Sequence, residues 1–157
     1  MGQDRTSTDH DIELERLASI VASSEDAIIS KSLDGIIRTW NAGATRIFGY
    51  TAEEIIGEPV FRLIPPELHE QEREILARLR DGESIKHFDT VRVAKDGRLV
   101  DISLTVSPLR NQAGEVVGAS KIGRDITERK RAEAMQKLLV DELNHRVKNT
   151  LAIVQSV

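Results

Sequence analysis

The sequence predicts an α+β fold, an antiparallel sheet with helices gathered on one face, flanked by an N-terminal helix and a long C-terminal one. Three observations predict it. Two short apolar runs close around Asp34-Gly35; a stretch rich in helix caps and stops follows; three longer runs then alternate across turn-rich connectors. From Thr127 onward glycine and proline disappear, and one helical pattern continues to Val157.

Bulk composition narrows the function. At 157 residues, 39% hydrophobic and 31% charged, the chain can build a core and is not of disordered composition. A net charge of −4 without a basic stripe argues against nucleic acid as a partner. Cysteine is absent, which removes disulfides, thiolate metal sites and cysteine nucleophiles together and fits a reducing, cytoplasmic setting. No apolar run approaches the roughly 18 residues that a membrane span needs, so no membrane span is expected.

Residues 1–8 read as a polar tail. Ile12, Leu14, Leu17, Ala18 and Val21 make an apolar stripe for a first helix that Asp9 can cap. Ala27–Lys31 and Ile36–Trp40 flank the turn as a hairpin. Asn41 can cap a helix ending at Gly49, and Thr51 with Glu54 makes a capping box for a helix stopped at Gly57. A longer helix starts near Pro66, with Leu68, Ile75, Leu76 and Leu79 on its apolar side, and ends at Asp81-Gly82. Ser84–Ala94, Arg98–Pro108 and Val116–Ile126 read as an antiparallel meander. Beyond it, Ala132, Met135, Leu139, Leu143, Val147, Thr150, Val154 and Val157 repeat every three or four residues. A stripe that regular calls for a partner helix, most simply the same helix of a second chain. The division is therefore a tail and helix over 1–23, a central domain over 24–127, and a linker with the start of a long, partner-seeking helix over 128–157.

Two family resemblances join this reading. Asp26-Ala27-Ile28-Ile29, Asp34-Gly35-Ile36-Ile37, Trp40-Asn41, Phe48-Gly49-Tyr50 with Thr51 to Gly57, Lys95-Asp96-Gly97 and Arg124-Asp125-Ile126-Thr127-Glu128-Arg129 occur in that order. The set resembles a PAS domain of sensory proteins, from about Ile20 to Arg131. It implies a five-stranded antiparallel sheet cupping helices and, in some members, a ligand. Leu143-Asn144-His145-Arg146-Val147-Lys148-Asn149, continued by Thr150-Leu151-Ala152, resembles the phosphoacceptor box of the HWE subgroup of histidine kinases. That resemblance implies His145 as phosphoacceptor, ATP as the phosphate source for a catalytic domain expected beyond Val157, a homodimer, and a response-regulator receiver as partner. The chain would then be a fragment, inactive alone.

The residues around His145 suit the chemistry. A kinase of this type needs a neutral, exposed imidazole placed for in-line attack on a γ-phosphate. An imidazole with the ordinary pKa of about 6.5 is largely neutral at cellular pH. His145 lies two residues from both Leu143 and Val147, which turns it away from the apolar stripe. Asp141 and Glu142 fall one turn earlier, and either can accept the hydrogen of the second ring nitrogen. Asn149, one turn later, can orient the phosphate, while Arg146 and Lys148 add attracting positive charge. Asp125 is expected to tie the linker to the domain through Arg129 or Arg131. An alternative reading is a PAS dimerisation and interaction module without phosphorelay activity.

Cofactors are disfavoured. No pair among His10, His69 and His87 has helical metal-ligand spacing, so no metal site is expected. Haem-binding members use a histidine on the long helix, a position aligned here nearer Gln71 or Glu72 than His69. Flavin-binding relatives with adduct chemistry carry a cysteine where this chain has Val60. Phe48, Leu63, Leu76, Leu104 and Val106 are expected to be core.

Overall fold

The chain reverses at Asp34-Gly35 as the hairpin pattern requires. Strands β1 (Ala27–Ser32) and β2 (Ile37–Trp40) pair antiparallel, with Ile29 opposite Trp40 and Lys31 opposite Ile37. The computed structural model describes residues 3–155, and side chains from Thr6 to Val154. The meander forms β3 (Ile85–Val93), β4 (Leu99–Arg110) and β5 (Val116–Asp125). All neighbours are antiparallel, in the order β2-β1-β5-β4-β3. The last strand made is thus central, paired with β1 on one side and β4 on the other.

Between the hairpin and the meander, local signals set the helices. Asn41 caps α2 (Ala42–Phe48) through Oδ1, which accepts from Ala44 N at 2.9 Å and from Ile28 N at 2.9 Å. Its Nδ2 donates to the carbonyls of Val21 and Asp26, so one amide joins the end of the first helix, β1 and α2. Gly49 closes α2 at φ +82, in the left-handed region open to glycine. Thr51 and Glu54 form the predicted capping box of α3 (Ala52–Ile55). The helix predicted from Pro66 divides: Pro66–Leu68 is a 3-10 turn, and α4 runs from His69 to Arg80. A second 3-10 turn spans Val60–Leu63.

The strands alternate, so one face of the sheet packs on these helices. Ala27, Ile29, Val100, Ile102, Leu104, Val106 and Ala119 are buried on it, against Phe48, Ile55, Leu63, Ile75 and Leu79. The five residues expected in the core are all buried. Gly43 lets α2 approach β1, since a Cβ there would stand 2.2 Å from the carbonyl oxygen of Asp26.

The N-terminus departs from expectation. Helix α1 already starts at Gln3 and runs to Ser23, so residues 3–8 are not a tail and Asp9 lies within the helix rather than capping it. The polar residues 3–8 offer no apolar periodicity to mark a start, but nothing in them breaks a helix. Ile12, Leu14, Leu17 and Ile20 of α1 are exposed.

Residues up to Asp125 and those from Ile126 form two compact units. In the second, α5 (Thr127–Gln155) is one unbroken helix. Its stripe residues Met135, Leu139, Leu143, Val147 and Val154 are all more than half exposed; Val157 lies outside the described residues. Among the described residues, no helix is long and apolar enough to cross a membrane.

Candidate functional site

The phosphoacceptor candidate sits on α5. Nothing between Thr127 and Gln155 interrupts the helix, so residues one turn apart share a face. His145 is exposed and, among the described residues, its imidazole has no hydrogen-bond partner. Asp141 and Asn149, one turn to either side, are also exposed. Glu142 is already engaged, its carboxylate 3.4 Å from Arg146 Nε in an i,i+4 pair. Thr150 Oγ1 donates to Arg146 O at 2.9 Å. Among the described residues, no ion pair holds Asp141, whereas Glu142 is paired with Arg146.

The first unit holds a second polar constellation, inside its core. Glu72 of α4 is fully buried and meets three cationic side chains of the sheet: Lys31 of β1, Lys121 of β5 and Arg92 of β3. Both ammonium groups bond the same oxygen, Oε1, Lys121 at 2.9 Å and Lys31 still closer. Oε2 faces Arg92 Nη2 at 3.7 Å. Strand alternation explains the placement, since Lys31 is in phase with Ala27 and Ile29, and Lys121 with Ala119. Burial favours the neutral acid at Glu72, but the charges of Lys121 and Lys31 outweigh it and hold the carboxyl at about 2. Burial, joined by repulsion from Lys31 and Arg92, pushes the Lys121 ammonium well below the usual lysine range against the pull of Glu72.

The sequence reading did not single out this cluster. It touched Glu72 only as a position near the haem ligand of some PAS members. The carboxylate is committed to the two lysines, and neighbouring Gln71 accepts a hydrogen bond from Thr90 at 3.0 Å. His69 opens α4 with Nε2 3.0 Å from Ile64 O and its ring edge-on to Phe61. Among the described residues, no group of three or more His, Cys, Asp or Glu side chains is arranged to hold a metal ion.

Comparisons with known proteins match both regions. The PAS fold family profile covers residues 15–126, and that of HWE histidine kinase covers residues 142–157, which include Glu142, His145 and Asn149. A two-component system protein A of Emericella nidulans is 38% identical over 111 residues, 69% of this chain and 16% of the relative. The signal transduction histidine-protein kinase AtoS of Escherichia coli is 28% identical over 145 residues, 87% of this chain and 23% of the relative. The chain thus spans less than a quarter of these relatives. Among solved structures, the PAS domain of a Colwellia psychrerythraea protein superposes with a TM-score of 0.67 at 32% identity, covering 73% of this chain and 98% of that one. The PAS domain of an HTR-like protein from Haloarcula marismortui gives 0.66 at 19% identity, covering 79% and 100%, a likeness of fold alone.

Proposed function

Because the chain belongs to the PAS fold family and continues into an HWE histidine kinase signature, we propose that it is the sensor and phosphoacceptor portion of a two-component histidine kinase. The observation that carries the reading is His145, exposed on an uninterrupted helix inside the segment that matches the kinase family. In this reading the lone pair of one neutral ring nitrogen attacks the γ-phosphorus of ATP. The N–P bond forms as the bond to the ADP oxygen breaks, and the other ring nitrogen passes its proton toward Asp141. Asn149 orients the phosphoryl oxygens, and Arg146 and Lys148 attract the nucleotide and then an acidic receiver domain.

The exposed stripe of α5 supports a homodimer, since an isolated helix would leave Met135, Leu139, Leu143 and Val147 in water. Only Ile126 separates β5 from α5, so a change in the sheet reaches the helix through one residue. Signalling then consists of choosing between two packings of the paired helices, a few kcal/mol apart at most.

The test is phosphate transfer from labelled ATP, using a catalytic domain of an HWE kinase that is active on its own acceptor helix. Acid-labile label on this chain, lost in His145→Ala, is the expected result. Absence of label on the native chain would favour a PAS dimerisation module without phosphorelay.

A further inference from the structure

Leu138 breaks the division of α5 into an apolar stripe and a polar face. It is 65% exposed, as open as its stripe neighbour Leu139 at 63%. On a helix turning about 100° per residue, it points about 100° away from Leu139 and about 140° away from Leu143. A second α5 seated on the stripe would therefore leave Leu138 in water. His145 follows seven residues later, which puts both side chains on one face, about 10 Å apart along the axis. Ala134, one turn before Leu138 and also exposed, extends the apolar patch. Leu138 precedes residues 142–157, so the match to the kinase family does not assign it.

Charge decides which partner the patch suits. Asp141 and Glu142 stand between Leu138 and His145, whereas Arg146 and Lys148 follow His145. An acidic surface is drawn to the C-terminal side of His145 and repelled from the N-terminal side. Leu138 and its two acidic neighbours call instead for an apolar surface edged with basic groups.

We propose that Leu138 and Ala134 form a docking patch for the ATP-binding catalytic domain, while the C-terminal side of His145 is left to the receiver. The inference rests on the reading of His145 as phosphoacceptor. A domain that brings the γ-phosphate to His145 must cover this face, and an interface of roughly 800 Å² per partner reaches Leu138. The stripe and the patch lie on different sides of one helix, so pairing of two chains and docking of the catalytic domain do not compete.

The experiment measures binding of an HWE kinase catalytic domain, loaded with a non-hydrolysable ATP analogue, to the 157-residue chain by biolayer interferometry. Leu138→Ala, which keeps a good helix former, should raise Kd at least about fivefold, the scale of a lost apolar anchor. Leu138→Glu, which adds a third acid to the patch, should raise it further. Leu99→Ala, at an exposed leucine of β4, should leave Kd unchanged. No binding by the native chain, or a Kd that Leu138→Ala leaves unchanged, overturns the proposal. A loss of dimer mass in Leu138→Ala would assign the leucine to the helix pair and overturns it too. Transfer from labelled ATP, run on the same chains, separates this proposal from the reading beneath it. Binding that depends on Leu138 without label on His145 keeps the patch and removes the phosphoacceptor. Label on His145 with binding indifferent to Leu138 keeps the phosphoacceptor and removes the patch.

Discussion

Glu72 Oε2 and Arg92 Nη2 face each other at 3.7 Å in the core, and among the described residues neither atom has a hydrogen bond. The pair is the weak side of a cluster whose other side, Oε1 with two ammonium groups, is strongly bonded. Among the described residues, Glu72 is thus the counter-charge that all three buried cations share.

Removing that counter-charge should be severe. Glu72→Gln keeps the shape but leaves Lys31, Lys121 and Arg92 facing one another, and should cost about 3–5 kcal/mol of stability. Chemical denaturation of the native and variant chains measures it. A loss within the range of ordinary surface substitutions would show that the cations shed their charge instead.

The same cluster sets a dependence on pH. In the folded chain the Glu72 carboxyl lies at about 2, against 4.5 for an ordinary glutamate. Between those values the unfolded chain binds more protons, so stability falls as the pH drops through that window and the contribution is gone below it. Lys121 acts in the same sense at the other end. Its folded form releases the proton before the unfolded form does, so stability climbs as the pH rises toward 10.5. Melting curves across both windows should show an acid limb that Glu72→Gln removes and an alkaline rise that Lys121→Met removes.

Gly43→Ala tests the contact of α2 with β1. Alanine favours a helix by up to about 1 kcal/mol, but its methyl would sit 2.2 Å from the Asp26 carbonyl oxygen, a backbone atom that Asn41 also holds. Crowding should win, with a net loss of about 2 kcal/mol in chemical denaturation.

On the candidate phosphoacceptor helix, Asp141 and Glu142 should separate. Asp141→Ala should slow phosphate transfer to His145 on the order of 10²-fold, the scale of a lost proton acceptor. Glu142→Ala, which breaks a solvent-exposed pair with Arg146, should leave the rate within a few-fold. Equal effects in single-turnover assays would remove the distinction.

The sheet was legible because its signals are local. The Asp34-Gly35 turn, the Asn41 cap and the Thr51–Glu54 box each declare themselves within a few residues. The core cluster was not legible as a unit, because its members lie on four elements and Lys31 and Glu72 are 41 residues apart. A trace did exist, since Lys31 and Lys121 fall on the inward phase of strands otherwise apolar on that side. Strand alternation tells which face a lysine takes, but only the sheet order puts both lysines under one glutamate. At the candidate phosphoacceptor site the heptapeptide around His145 overlaps the family match, whereas the Glu142–Arg146 pair depends on rotamers that spacing alone leaves open.

The order of the strands also determines how the sheet can move. β5 is gripped along both edges, from Ala27 to Ser32 on one side and from Ile102 to Arg110 on the other. A strand held that way cannot peel off or slide alone, because either move would break two ladders at once. Motion of β5 must therefore be a twist or flexing of the whole sheet, which makes the sheet one stiff plate rather than a set of separate latches.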